Sequence, residues 1–268
     1  MVAPAMNVRQ RAFTGCVRLA EWSQKASRAF LFLGAGMLRR RDFKDVSQRS
    51  WSAFAHTDVE IRSGLNAWEE ATYGPLLRPG DRLCVIGCGS GRDLLPFVSA
   101  GHDVVGIEPS PAPVATLRRI LRENRQSAEV IEARVEDAVL PGRFDLVLFS
   151  INCYSYIQGS DARVAVLEKI ARHLNADGRV FLTSPARHGN WINSSARLAA
   201  FAARLTRSDW RPEPYDAFHR IDVPGEPGAI ICEHFFVPEE VEREAARAGL
   251  RVLVHGEPWS TPYAVLGR

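Results

Sequence analysis

Leu83-Cys84-Val85-Ile86-Gly87-Cys88-Gly89-Ser90-Gly91-Arg92-Asp93, answered by Asp103-Val104-Val105-Gly106-Ile107-Glu108, decides the fold of this chain. An apolar strand over 82–86 runs into a loop holding Gly87, Gly89 and Gly91. A helix over 92–100 follows, then a second apolar strand, 103–107, that ends on Glu108. Glycine tolerates positive φ and lacks a Cβ, so the backbone at such a strand-to-helix turn can approach a ligand closely. An acid at the tip of the next strand can accept both hydroxyls of a ribose. The stretch therefore reads as a nucleoside-cofactor site and leaves open which cofactor it holds.

Working outward, further strands are expected at 129–133, 144–149 and 179–183, with helices at 111–125 and 161–174 between them. Alternating helices and strands, the strands apolar enough for burial on both faces, imply a parallel, doubly covered sheet. Upstream, residues 8–38 read as a helix with Phe13, Val17, Ala20, Ala26, Phe30 and Leu33 roughly on one face. Residues 61–73 read as a second helix, stopped near Pro75 and Arg78-Pro79-Gly80. After residue 183 the alternation breaks. Residues 186–232 hold Trp191, Trp210, Tyr215, Phe218 and His219 around an Ala-rich helix near 195–205, and read as a lid over the sheet's carboxyl edge. A helix at 238–248 and strands at 251–254 and 263–267 close the chain. The expected organisation is an N-terminal helical extension and cap over 1–76, then an α/β domain over 77–268 that includes the lid.

Length and composition suit one large α/β domain with appendages: 268 residues, 46% apolar and 24% charged. A net charge of +3 is too small to argue for nucleic acid, and basic and aromatic residues do not interleave in any continuous stretch. Residues 1–45 carry nine Lys/Arg against three Asp/Glu. The apolar run 29–38 ends on Arg39-Arg40-Arg41 and falls short of the roughly 20 residues a membrane span needs. Three roles stand for this basic region, in order: a cap on the cofactor pocket through Trp51, Phe54 and Trp68; a weak contact with an anionic membrane surface; a dimer contact. The oligomeric state is left open. Five scattered cysteines (Cys16, Cys84, Cys88, Cys153, Cys232) indicate free thiols and a cytoplasmic protein. Cys84 and Cys88 are four apart but lack a second ligand pair, so no metal site is expected.

A dinucleotide fingerprint needs Gly-x-Gly-x-x-Gly/Ala, its last small residue letting helix and strand pack closely. Here the spacing is Gly-x-Gly-x-Gly and Arg92 follows. Val-Ile-Gly-Cys-Gly-Ser-Gly (85–91), Gly-Ile-Glu (106–108), Phe-Asp-Leu-Val-Leu (144–148), Asp-Gly-Arg-Val-Phe-Leu (177–182) and Pro238-Glu239-Glu240-Val241 together make the chain resemble the class I (Rossmann-like) S-adenosylmethionine-dependent methyltransferases over roughly 50–268. That resemblance implies a doubly wound, mostly parallel seven-stranded sheet with an antiparallel last strand, and S-adenosylmethionine as cofactor. It further implies that Gly87, Cys88, Gly89, Ser90 and Gly91 bring backbone to the cofactor, and that Glu108, followed by Pro109, takes the ribose. Val135 and Glu136 would edge the adenine, and Ser150 and Ile151 would lie beside the amino-acid moiety. Two positions depart from the family's habit. Val85 stands where an acid commonly helps hold the ammonium, and Asp93 is the nearest carboxylate able to substitute. Arg134 stands where an Asp often meets the adenine.

Methyl transfer asks chiefly for alignment and exclusion of water. An oxygen acceptor also needs a base. Tyr154 or Tyr156 after the fourth strand, and His219 and His234 in or beside the insertion, are the candidates at the reaction centre. The acceptor is expected to be a small or mid-sized organic molecule, methylated on oxygen or nitrogen. A methyltransferase-like binding or regulatory protein is the alternative, and an NAD(P)-dependent oxidoreductase a more distant one.

Overall fold

The computed structural model describes residues 7–52, 58–185, 194–221, 229–257 and 261–268. Strands β1 (Arg82–Ile86), β2 (Asp103–Ile107), β3 (Glu129–Ile131), β4 (Phe144–Phe149) and β5 (Leu174–Thr183) pair in parallel in the order β3-β2-β1-β4-β5. The sheet is completed by β8 (Arg251–Gly256) and β9 (Tyr263–Gly267), with β9 antiparallel to both β5 and β8. The seven-stranded sheet and its reversed final strand are those the resemblance implies.

Period-2 alternation sends the two faces of each strand into separate cores. Cys84, Ile86, Val147, Phe149 and Val180 pack with Val164, Leu167 and Ile170 of α7 (Ser160–Arg172) and with Val241 and Ala245 of α9 (Pro238–Arg247). Leu83, Val85, Leu146, Leu148 and Phe181 face the other way. They meet Leu94 and Phe97 of α5 (Leu94–Ser99), Leu117 and Leu121 of α6 (Pro111–Glu123), and Tyr73 of α4 (Ala67–Tyr73). Each Val, Leu, Ile or Phe among them, fully buried, contributes roughly 1.5–3 kcal/mol. Val85, the residue in the usual acid position, is wholly inside this second core.

The N-terminal region differs from its sequence reading in two places. Residues 61–73 are not one helix: α3 (Asp58–Ser63) ends at Gly64, whose φ of +66° breaks the helix before α4 begins. The long helix α1 (Val8–Met37) forms, but Phe13, Val17 and Phe30 are exposed on it, and it is Phe32, Ala35 and Gly36 that are buried. Gly36 lies against the Ala199 backbone of α8 (Ser194–Leu205), where any Cβ would overlap it. A second helix, α2 (Arg40–Ser52), has no counterpart in the sequence reading. Phe32 and Ala35, with Phe43 of α2, build a third core together with Ala196, Ala199 and Trp210, and with Phe218, Ile230 and Cys232 of the hairpin β6 (Asp216–Arg220)/β7 (Ile230–His234). Trp210 and Phe218 of the insertion thus find their partners in the N-terminal helices. Phe43 and Trp210 stack at 4.8 Å, and Phe32 meets Phe218 edge-on at 4.7 Å. Trp191 and Phe54 lie outside the described residues. Among the described residues no helix is long and apolar enough to cross a membrane.

Candidate active site

In an open α/β sheet a crevice forms where the chain leaves neighbouring strands in opposite directions, here at the carboxyl end of β1 between β2 and β4. A cavity of about 390 Å³ opens there. Gly87 and Cys88 donate to the Ile107 carbonyl at 2.8 and 3.2 Å, which ties the glycine loop to the tip of β2. Gly87 has a φ of +74°, and a Cβ on it would overlap Cys153 Sγ. That cysteine opens the short 3₁₀ turn Cys153–Tyr156, placed by a sharp bend after β4. In this bend Ser150 donates to the Ile86 carbonyl, and Asn152, at φ +59°, donates its N–H to Thr183 Oγ1 at 2.7 Å.

Glu108 sits where β2 ends. Its carboxylate accepts the Gly89 N–H at 3.1 Å and the Ser110 N–H at 2.8 Å, so it is held against the glycine loop with lone pairs to spare. Burial raises its pKa, against the lowering effect of these hydrogen bonds. On the far wall, Val135 and Glu136 line the cavity with Arg134. Glu136 Oε1 lies 3.5 Å from Arg134 Nε and 3.8 Å from Lys44 Nζ. Lys169 pins this loop from behind by donating to the carbonyls of Val135, Glu136 and Ala138 at 2.6, 2.9 and 2.9 Å. Desolvation lowers the Lys169 pKa.

At the opposite end Arg92 makes a two-pronged ion pair with Glu69 of α4, at 2.7 and 2.8 Å, and also pairs with Asp93. Arg92 therefore does not crowd the helix–strand contact. Close packing there comes from Gly91 and Gly106, where added Cβ atoms would come within 2.6 Å of Leu117 and 2.7 Å of Leu94. Asp93 lines the cavity, and Arg92 partly neutralises it. The pair Glu69–Arg92 spans 23 residues, and nothing local in the sequence announces it.

Gly87, Cys88, Gly89, Ser90, Asp93, Glu108, Pro109, Val135, Glu136, Ser150 and Ile151 all line this one cavity. Gly91 does not; its φ of +104° and its contact with Leu117 make it a packing residue beneath the loop. The sequence reading missed Ser47 and Gln48, which reach the cavity from α2 beside Trp51. Gln48 Nε2 donates to the Pro109 carbonyl at 2.9 Å, fastening α2 over the site. Trp68, read as part of the cap, packs on Tyr73 instead. The amphipathic spacing of 40–52 was the available signal for α2.

Of the four candidates for the reaction centre, Tyr154, His219 and His234 lie off the cavity. Tyr154 is wholly buried and donates to Glu244 Oε2 at 2.6 Å; Tyr156, two residues on, lines the cavity in its place. A 3₁₀ turn, not a strand, carries both, which points their side chains in different directions. His234 is buried with Nδ1 2.7 Å from Asp216 and Nε2 3.1 Å from Glu240. Carboxylates at both nitrogens raise its pKa to about 9 despite burial, so near neutrality it is a cation and no base. The same cluster holds Arg163, paired to Glu244 at 2.8 Å and Glu213 at 2.9 Å. His219 lies half-exposed on the hairpin, 3.7 Å from Glu233 and away from the cavity walls.

The sheet order, the glycine loop at the switch point and the acid after β2 are those of the class I methyltransferase fold. A family model described as a methyltransferase domain matches residues 85–180. The chain is 31% identical over 126 residues to a cypemycin N-terminal methyltransferase of Streptomyces sp., a match covering 46% of this chain and 49% of that protein. It is 27% identical over 174 residues to a ubiquinone biosynthesis O-methyltransferase of Nitrobacter winogradskyi, covering 65% and 58%. The chain thus spans about half to three-fifths of the length of these curated relatives. In fold it is similar to an S-adenosylmethionine-dependent methyltransferase of Bacteroides fragilis solved with S-adenosyl-L-homocysteine, with a TM-score of 0.57 at 17% identity, covering 80% of this chain and 81% of that one.

Proposed function

We propose that this protein transfers the methyl group of S-adenosylmethionine to a small or mid-sized organic acceptor in the cytoplasm. The observation that carries the reading is the Glu108 carboxylate, held by the Gly89 N–H against a glycine loop at the mouth of a single cavity. A buried carboxylate with free lone pairs beside closely approachable backbone suits a ribose diol next to an amino-acid chain. In this reading Glu108 takes the ribose hydroxyls, Val135 and Glu136 edge the adenine, and the Gly87–Ser90 backbone with Ser150 and Ile151 holds the methionine part. Asp93 takes the ammonium left unserved by Val85, and Arg92 faces the carboxylate. S-adenosylmethionine supplies an electrophilic methyl on a sulfonium. The protein supplies alignment and exclusion of water. Residues 1–76 and the 186–232 insertion act together as the cap, since α1, α2, α8 and the hairpin share one core. The relatives include an N- and an O-methyltransferase, so either acceptor atom lies within the class.

Calorimetry with S-adenosylmethionine, S-adenosylhomocysteine and NADH tests this. Submillimolar binding of the first two and none of the third is expected. Binding of NADH alone, or of none of the three, overturns the reading.

A further inference from the structure

Of the 30 residues in α1 only Phe32, Ala35 and Gly36, near its end, are buried. A row of apolar side chains nevertheless runs the length of the helix: Val8, Leu19, Trp22, Phe30 and Met37, with small residues filling the turns between them. Steps of three and four residues put the row on one stripe of the helix. Each of the five is more than half exposed, Trp22 at 67% and Phe30 at 73%. Phe13 and Val17 belong to another side, the one that packs further along through Leu31 and Ala35. The stripe therefore turns away from the third core. An apolar row of this extent left in water marks a surface that meets something else.

The borders of the stripe say what it meets. Arg11, Arg18 and Lys25 follow one another at seven-residue steps along one edge, Arg9 marks the other, and all four are exposed. Glu21 is the one acid in the helix, and Arg39, Arg40 and Arg41 follow its end. Two copies of so basic a helix laid stripe to stripe would set like charges against each other. An anionic lipid surface satisfies both halves of the pattern. The apolar row sinks to the boundary between headgroups and acyl chains, and the cations stay among the anionic headgroups. Trp22 suits that depth, since an indole is apolar in body and polar at its N–H. Among the described residues no helix is long and apolar enough to cross a membrane, so α1 lies in the plane of the surface.

We propose that α1 is an interfacial helix that docks this protein on an anionic lipid surface through the Val8–Met37 stripe. The apolar run at 29–38 is only the end of that surface, because Phe32 and Ala35 are used in the third core. That core joins α1 to α2, and α2 carries Ser47, Gln48 and Trp51 in the cavity wall. Docking through α1 thus ties the cavity-bearing part of the chain to the lipid surface.

The test is flotation of the whole chain with vesicles of phosphatidylserine and phosphatidylcholine mixed equally, or of phosphatidylcholine alone. Binding to the anionic vesicles is expected to be at least about ten-fold stronger and to weaken as salt is raised. Leu19→Glu combined with Phe30→Glu puts acids in the stripe and is expected to lower that binding at least about ten-fold. The thermal unfolding midpoint stays unchanged, because both side chains already face water. Arg11→Gln, Arg18→Gln and Lys25→Gln together are expected to remove most of the preference for phosphatidylserine. Equal binding to both kinds of vesicle, binding to neither, or binding that survives the two glutamates overturns the proposal. So does a lipid-free dimer in sedimentation that the two glutamates dissolve, since the stripe then takes a second copy.

Discussion

Replacing Glu108 tests the cofactor reading most directly. Its carboxylate makes two backbone hydrogen bonds, to Gly89 at 3.1 Å and Ser110 at 2.8 Å, and has acceptor capacity left for a diol. Losing charged hydrogen bonds to the ribose costs about 1.5–3 kcal/mol, or roughly ten- to hundred-fold in affinity. Glu108→Ala also leaves the two N–H groups without their acceptor, a further destabilisation of about 1–3 kcal/mol for a group shut off from water. Glu108→Gln keeps one acceptor oxygen and removes the charge, which separates the ribose effect from the folding effect. The assay is calorimetric binding of S-adenosylhomocysteine, with urea unfolding of each variant alongside. Because burial raises the Glu108 pKa, affinity of the native protein is expected to fall as acid protonates this group, above the usual carboxylate range, and the Gln variant to lack that limb. Native-like affinity in a folded Glu108→Ala protein would refute the ribose assignment. Glu136→Ala, whose carboxylate already faces Arg134 and Lys44, is expected to change affinity by no more than about three-fold, within about 0.7 kcal/mol.

Three other outcomes follow from the geometry. Gly87→Ala forces a side chain into positive φ and onto Cys153 Sγ, so S-adenosylhomocysteine binding is expected to fall at least about ten-fold; calorimetry at unchanged circular dichroism reads it. Lys169→Met releases three loop carbonyls at 135, 136 and 138 and is expected to lower stability by about 1 kcal/mol and to weaken cofactor binding, measured by urea midpoint and calorimetry. The folded-state pKa of His234, raised to about 9, makes its stabilisation full below its ordinary value of 6.5 and lost as pH rises through 9. The span between those values is worth at most about 3 kcal/mol, so the stability gap between native protein and His234→Phe is expected to shrink between pH 7 and 10 in urea titrations. A gap independent of pH would mean that His234 is not held as a cation.

By itself the sequence determined what local rules encode. Short continuous apolar runs marked β1, β2, β4 and the core of β5. The Gly-x-Gly-x-Gly loop with Glu108 located the cavity at the carboxyl end of β1, because a closely approachable backbone and a strand-tip acid are set within 25 residues of chain. Tertiary structure decided everything that depends on which distant groups meet. Arg92, a neighbour of the loop, is held at the cavity's edge by Glu69 on α4. His234 becomes a cation because Asp216 and Glu240 converge on its two nitrogens. Tyr154 and Tyr156, alike in the sequence, divide between core and cavity because a 3₁₀ turn carries them. The third core is composite for the same reason: the apolar residues of 29–46 and of the insertion are buried against each other, which brings α2, with Ser47, Gln48 and Trp51, to the cavity wall.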